Sequence, residues 1–150
     1  LKKLLKPSHA SAVNRIIDAN LNRLKEGLRV CEEVVRFALD DRRFTSELKQ
    51  LRHRIDSAIE RIIPRIELCA YRDSLGDVGR DVYGQELRRK NLRDIFFANM
   101  QRVKESIRVL EELSKLKDRK VAVLLKRERY RIYEIEKRLA KKIAPLRTLP

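Results

Sequence analysis

The stretch "ANLNRLKEGLRVCEE", Ala19 to Glu33, returns as "ANMQRVKESIRVLEE", Ala98 to Glu112, with nine of fifteen positions identical. Most of the remaining exchanges swap one apolar residue for another, so the 150-residue chain reads as two copies of one unit. Through the first copy Ile17, Leu21, Leu24, Leu28, Cys31 and Val35 recur at alternating steps of four and three. On a helix that spacing makes one narrow apolar stripe, the pattern of a helix packed along a seam. Phe96, Met100, Val103, Ile107 and Leu110 repeat the seam in the second copy. A weaker echo, "RHRI" at Arg52–Ile55 and "RYRI" at Arg129–Ile132, follows at nearly the same offset, which makes the repeated unit a helical hairpin.

Working outward, Ser11 is a candidate N-cap for the first helix, and the run "DDRR" ends it, with Asp40 or Asp41 capping the next. The second helix carries Leu48, Leu51, Ile55, Ile59 and Ile62 until Pro64 forces a kink or an end. From Arg72 to about Lys90 the stripe disappears, and "RDSLGDVGRDVYGQ" holds three of the chain's four glycines. A third helix is expected from near Asn91, and a fourth, capped by Asp118, carries Val121, Leu125, Tyr130 and Leu139. The predicted fold is all-α: an antiparallel four-helix bundle built from two duplicated helical hairpins joined by a Gly- and Asp-containing loop. It forms a single helical domain over residues 1–150, with repeat one at about 11–71, the loop at about 72–90, repeat two at about 91–143 and a tail at 144–150. The tail, "APLRTLP", reads as a linker or frayed end.

Composition agrees with this class. Charged residues make up 39% of the chain and glycine and proline only four each, which suits long solvated helices and not a turn-rich β fold. No apolar run reaches the roughly 20 residues a membrane-spanning helix needs, and no signal-peptide pattern opens the chain, so a cytoplasmic location is the default expectation. Cys31 occupies a seam position that Leu110 fills in the second copy, which favours a buried thiol over a disulfide with Cys69. The net charge of +15 favours anionic, phosphate-bearing partners. The same Lys-, Arg- and Glu-rich composition also describes a thermophile-like surface of ion pairs, and the charge alone does not separate the two readings.

The polar residues of the repeat carry the functional question. Arg23, Glu26, Arg29 and Glu33 fall on one helical face beside the seam, and Arg102, Glu105, Arg108 and Glu112 repeat it. Asn20 and Asn99 lie at the seam's edge, where an amide needs a partner. As solvated pairs these residues are worth only about 0.2–0.5 kcal/mol each. Their survival in both copies therefore favours a shared buried polar network or ligand site, with solvated surface as the alternative. A ligand site here would recognise anions: guanidinium groups grip phosphate, and the glutamates orient them or hydrogen-bond an amino-substituted ring. The loop could add backbone N–H groups at Gly76 and Gly79, and Asp73 or Asp77 could hold Mg²⁺ through a nucleotide. A plain turn is the simpler reading of that loop. Gly27, matched by Ser106, reads as a small contact between helices, and His53, matched by Tyr130, as an ordinary packed histidine. The sequence has no G-x-x-x-x-G-K-[ST] loop, no G-x-G-x-x-G opening a helix, no H-E-x-x-H and no clustered Cys and His for zinc. It identifies no catalytic residue and no metal site made of protein ligands alone.

Together "RIIDANLNRLKEGLRVCEEVVRF", "YRDSLGDVG", "FFANMQRVKESIRVLEE" and "RYRIYEIEK" resemble the helical domain that precedes thiamine-phosphate synthase in some bacterial fusion proteins and also occurs alone. The resemblance runs from about Arg15 to Lys137 and departs at Arg80, where a small residue is expected. It implies a role in thiamine biosynthesis, as an alternative hydroxymethylpyrimidine phosphate kinase, a transferase using Mg and ATP. Carried over by motif, the residues it points to are Asn20, Arg23, Glu26, Arg29 and Glu33, their counterparts Asn99, Arg102, Glu105, Arg108 and Glu112, and Arg72, Asp73, Gly76, Asp77 and Gly79. The implied partners are a phosphorylated aminopyrimidine and thiamine-phosphate synthase. A non-catalytic module that binds a phosphorylated intermediate or docks the synthase is the alternative. A basic nucleic-acid-binding protein ranks below both, and self-association is a further partnership that the sequence permits.

Overall fold

The computed structural model describes residues 8–81 and 84–147, and among them every regular element is helical. Five α-helices are present: α1 (His9–Ala38), α2 (Arg42–Glu60), α3 (Arg65–Ala70), α4 (Leu92–Ser114) and α5 (Arg119–Ile143), with a 3-10 turn at Gly84–Leu87. The two long-range seams expected from the sequence are the core. Ile17, Leu24, Leu28, Cys31 and Val35 of α1 are fully buried, as are Phe96, Met100, Val103, Ile107 and Leu110 of α4. Leu48, Leu51 and Ile55 of α2 and Val121, Leu125, Ile132, Leu139 and Ile143 of α5 complete one continuous cluster.

Cross-helix contacts fix the directions. Glu32 meets Arg52 and Lys25 meets Asp56, so α2 runs back along α1. Glu111 meets Arg129 and Lys104 meets Glu136, so α5 runs back along α4. Glu47 meets Arg138 and Arg54 meets Glu128, which sets α2 antiparallel to α5. Cys31 donates its S–H to the Phe96 carbonyl at 3.6 Å, while Gly27 lies against Asn99 and Val103, so α1 and α4 are antiparallel as well. Because α2 ends and α4 begins at opposite ends of the bundle, residues 61–91 form one long crossover, the usual cost of joining hairpins in this order.

Caps and stops follow local chemistry, with several departures from the sequence reading. Ser8, not Ser11, caps α1: its Oγ accepts the Ser11 N–H at 3.2 Å. Asp41 caps α2 through the Phe44 N–H, and Asp40, at φ 50°, makes the left-handed turn between the helices. Asn91 and Asp118 cap α4 and α5. Pro64 does not kink α2, which has already ended at Glu60, leaving Ile62 outside it; the proline instead opens the short α3, an element with no counterpart in the second half. Tyr130 points to water, because Ile132 and Ile135 carry the α5 seam. His53 is exposed rather than packed, for the same reason: Leu51 and Ile55 face the core on either side of it. The tail is not frayed over Ala144–Arg147, since Leu146 packs against the core and its carbonyl accepts the Arg93 N–H; residues 148–150 lie outside the described residues. Both cysteines are free, and burial pushes the Cys31 thiol pKa up.

Helices α1 and α4 approach closely at Gly27. A Cβ added there would sit 2.8 Å from Val103 Cγ2 and 3.0 Å from the Asn99 carbonyl oxygen, which belongs to the backbone and cannot rotate away. Gly27→Ala gains about 1 kcal/mol of helix propensity but overpacks the α1–α4 contact by about 1–3 kcal/mol. Net destabilisation of about 1 kcal/mol is expected in urea unfolding, against little change for Ser106→Ala.

The α2–α5 seam is pH-sensitive. Arg138 holds the Glu47 carboxyl below its ordinary value of 4.5, and Lys142, with the Phe44 N–H, holds Asp41 below 3.8. A carboxyl whose folded pKa is depressed contributes stability above its unfolded pKa and loses it as pH falls through the folded one. Thermal stability should therefore fall as pH drops below those ordinary values, and Glu47→Gln should flatten that part of the Tm–pH curve.

Candidate functional site

A cleft of about 990 Å³ opens between the first half of α1, the start of the crossover and α4. Its foundation is Asp18, whose carboxylate is buried on α1. Arg72, two residues past α3, donates to both Asp18 oxygens at 2.8 Å, and Asn22 adds an amide N–H at 3.3 Å. Hydrogen bonding to Asp18 raises the pKa of the Arg72 guanidinium. This bidentate pair pins the crossover to α1 and so sets one wall of the cleft.

Beyond Arg72 the chain turns twice on aspartates. Asp73 Oδ1 accepts the Gly76 N–H and Asp77 Oδ1 accepts the Gly79 N–H, each at 2.9 Å. A Cβ on Gly76 would meet Asp73 Oδ2 at 2.5 Å, so glycine is what lets this carboxylate fold over the turn. Each aspartate keeps one oxygen outside these turn bonds.

Of the residues singled out in the sequence, Asn20, Arg23, Glu26, Arg72, Asp73, Asp77, Gly79 and Arg102 line this cleft, and Gly76 shapes its turn. Arg23 and Arg102 stand at equivalent positions of the repeat and come to the same cleft from different helices. The antiparallel crossing explains the selection. Gly27 packs on Asn99 and Val103, so positions near the crossing meet while those farther along each helix are carried to opposite ends.

Thus the two faces do not meet along their whole length. Arg29 bridges Glu32 and Glu33, and Arg108 bridges Glu111 and Glu112, outside the cleft. Glu112 also pairs with Lys115, which holds its pKa below the usual carboxylate value. Glu105 accepts from Gln101, and Asn99 donates to the Ile95 carbonyl.

Sequence reasoning missed the acids that are buried. Glu32 is 3% exposed and takes hydrogen bonds from Arg29 and Arg52; Glu111, also 3% exposed, takes them from Arg108 and Arg129. Both glutamates stand in the repeat, and both second-helix partners stand in the "RHRI" and "RYRI" echoes. Comparing the two echoes for shared cations would have found the partners. Asp18 gave no such signal, because Phe97 fills its place in the second copy. Arg15 and Arg80 also line the cleft, and among the described residues neither they nor Arg23 and Arg102 have a carboxylate within ion-pair distance.

The ThiD2 family model matches residues 15–138. The chain belongs to the ThiD2 family. Among its relatives are proteins named thiamine-phosphate synthase from Synechocystis sp., 43% identical over 129 residues, and from Nostoc sp. (strain PCC 7120), 41% identical over 128. These alignments cover 84% and 85% of this chain but 36% and 35% of the relatives. A third, from Rhodopirellula baltica, is 38% identical over 140 residues, covering 93% of this chain and 37% of the relative. The chain thus spans about a third of the length of the curated relatives it matches. No solved structure matches it.

The two classes of cleft arginine should separate in stability measurements. Arg72→Ala leaves the Asp18 carboxylate buried with one amide donor, and a loss of about 1–2 kcal/mol is expected, kept modest by the partial exposure of Arg72. Arg23→Ala and Arg102→Ala remove unpaired surface cations and should stay within about 0.5 kcal/mol of the wild type in urea unfolding.

Proposed function

We propose that this chain acts in thiamine biosynthesis, phosphorylating hydroxymethylpyrimidine phosphate with Mg-ATP in the cleft between α1 and α4. The observation that carries the reading is the convergence of Arg23 and Arg102 on one cleft with no carboxylate partner among the described residues. Two unpaired guanidinium groups held on rigid helices suit a phosphate monoester, which each can grip bidentately. The names of the relatives support the pathway.

The chemistry asks little covalent work of the protein. A phosphate oxygen of the substrate attacks the terminal phosphorus of the donor; the new O–P bond forms as the bond to the leaving nucleoside diphosphate breaks. Catalysis is then positioning and charge neutralisation. Arg23 and Arg102 hold the substrate phosphate and offset the repulsion between two anions. Magnesium bound to the nucleotide would neutralise charge on the transferred group. Such an ion keeps most of its waters and needs only one or two protein carboxylates, and the oxygens of Asp73 and Asp77 left over from their turns fit that demand. Arg72, paired with Asp18 through two of its nitrogens, positions the crossover at the cleft wall.

A second reading is a non-catalytic module that binds a phosphorylated intermediate or docks a synthase. It is favoured by the fact that the longer relatives are named for a different reaction. A coupled assay with the purified chain, hydroxymethylpyrimidine phosphate and Mg-ATP, run beside calorimetric binding, distinguishes them. Turnover that falls at least tenfold in both Arg23→Ala and Arg102→Ala is the expected result. Binding without turnover would favour the ligand-binding module, and neither binding nor turnover would overturn both the kinase and that module, leaving only the docking form.

A further inference from the structure

Among the polar groups of the cleft, Asn20 has its orientation decided by a backbone carbonyl. Asn20 is 7% exposed and lines the cleft. Its Nδ2 donates to the Ile16 carbonyl at 2.9 Å. That bond fixes which way the amide faces, since the flipped form would set Oδ1 against the carbonyl, acceptor against acceptor. Oδ1 accepts no hydrogen bond among the described residues, and it is not sealed from solvent, as Asn14 Oδ1 is. A neutral hydrogen-bond acceptor, locked by the backbone and nearly buried, therefore remains unused at the cleft wall.

Most surrounding groups are of other kinds: Asn22, the other amide of the lining, turns its N–H to Asp18 and is more exposed than Asn20, and the Tyr71 and Ser74 hydroxyls can donate as well as accept. Arg15, Arg23 and Arg102 can only donate, while Glu26, Asp73 and Asp77 are exposed acids that accept at the cost of a charge. We infer that Asn20 Oδ1 accepts a hydrogen bond from an exocyclic amino group on the ligand's ring, making Asn20 the residue that separates amino- from oxo-substituted pyrimidines. The inference rests on reading the cleft as an aminopyrimidine phosphate site. It adds that the ring is read by α1, close to the arginines that take its phosphate. An oxo group at the same ring position would oppose two acceptors and leave Oδ1 desolvated without a partner.

The second copy supplies an internal control. Asn99 makes the same bond to the carbonyl four residues back, Ile95, at 2.8 Å, but does not line the cleft. Loss of either amide removes the same local bond, and only loss of Asn20 removes the reading group.

The test is calorimetric binding of hydroxymethylpyrimidine phosphate and of its analogue with a ring carbonyl in place of the amino group. Both are titrated into the full chain, Asn20→Ala, Asn20→Ser and Asn99→Ala, with Tm recorded for each. The wild type should prefer the amino ligand by about tenfold or more. Both Asn20 variants should lose that preference, binding the amino ligand more weakly and no longer penalising the oxo ligand, and Asn99→Ala should keep it with a similar change in Tm. Equal binding of the two ligands to the wild type, which needs no variant to fold, would overturn the inference and leave the aminopyrimidine reading standing. So would a preference retained in either Asn20 variant. Binding of neither ligand to the wild type would overturn the aminopyrimidine reading and this inference with it.

Discussion

The structure depends on how closely α1 and α4 approach at Gly27. A backbone carbonyl oxygen and a side-chain methyl already stand 3.0 and 2.8 Å from where a Cβ would be, so the two helices leave no room there for a larger residue. That approach places the seams of both repeated stretches against each other. It also sets the register that brings Arg23 and Arg102 to one side of the crossing. A wider spacing would leave the same side chains on the same helices and dissolve the cleft between them.

Around this crossing, charge works mainly as register control. Glu32, Glu111 and Glu128 are each nearly buried and each bound by arginines from two positions, one nearby on the same helix and one from a neighbouring helix. Pairs of this kind return little net stability, since desolvation offsets most of the attraction, but losing one partner leaves a buried charge. A slip along any helix pair would do that several times at once. The cleft is arranged differently: its arginines stand beside Glu26, Asp73 and Asp77, yet among the described residues only Arg72 is drawn into an ion pair.

The seams were the most legible part of the sequence, because fully buried positions at steps of three and four admit few other arrangements. Asp118 and one aspartate of the 40–41 pair were legible as caps from local chemistry, and Asn91 as the approximate start of its helix. Tyr130 and His53 were misplaced because a wheel cannot decide which edge of a half-apolar face turns inward until the partner helix is known. The repeat pointed to the right helices and only partly to the right residues. It counted Glu33 and Glu112 with the site, although their neighbours Glu32 and Glu111 are the buried members. It also passed over Asp18, which anchors the cleft, because an anchor for a crossover has no reason to occur twice.

The long crossover has a consequence for how the molecule assembles. Each hairpin closes through contacts near in sequence, whereas α1 and α4 meet only after the whole intervening chain has been brought round, and non-local closure is the slower event. The cleft therefore exists only once α1 and α4 have docked, and is absent from a chain whose hairpins have formed without docking. Any ligand that bridges the two helices binds the finished molecule alone and shifts the folding equilibrium toward it by mass action. Such a ligand would raise the resistance of the whole bundle to unfolding as its concentration rises, and not that of either hairpin alone.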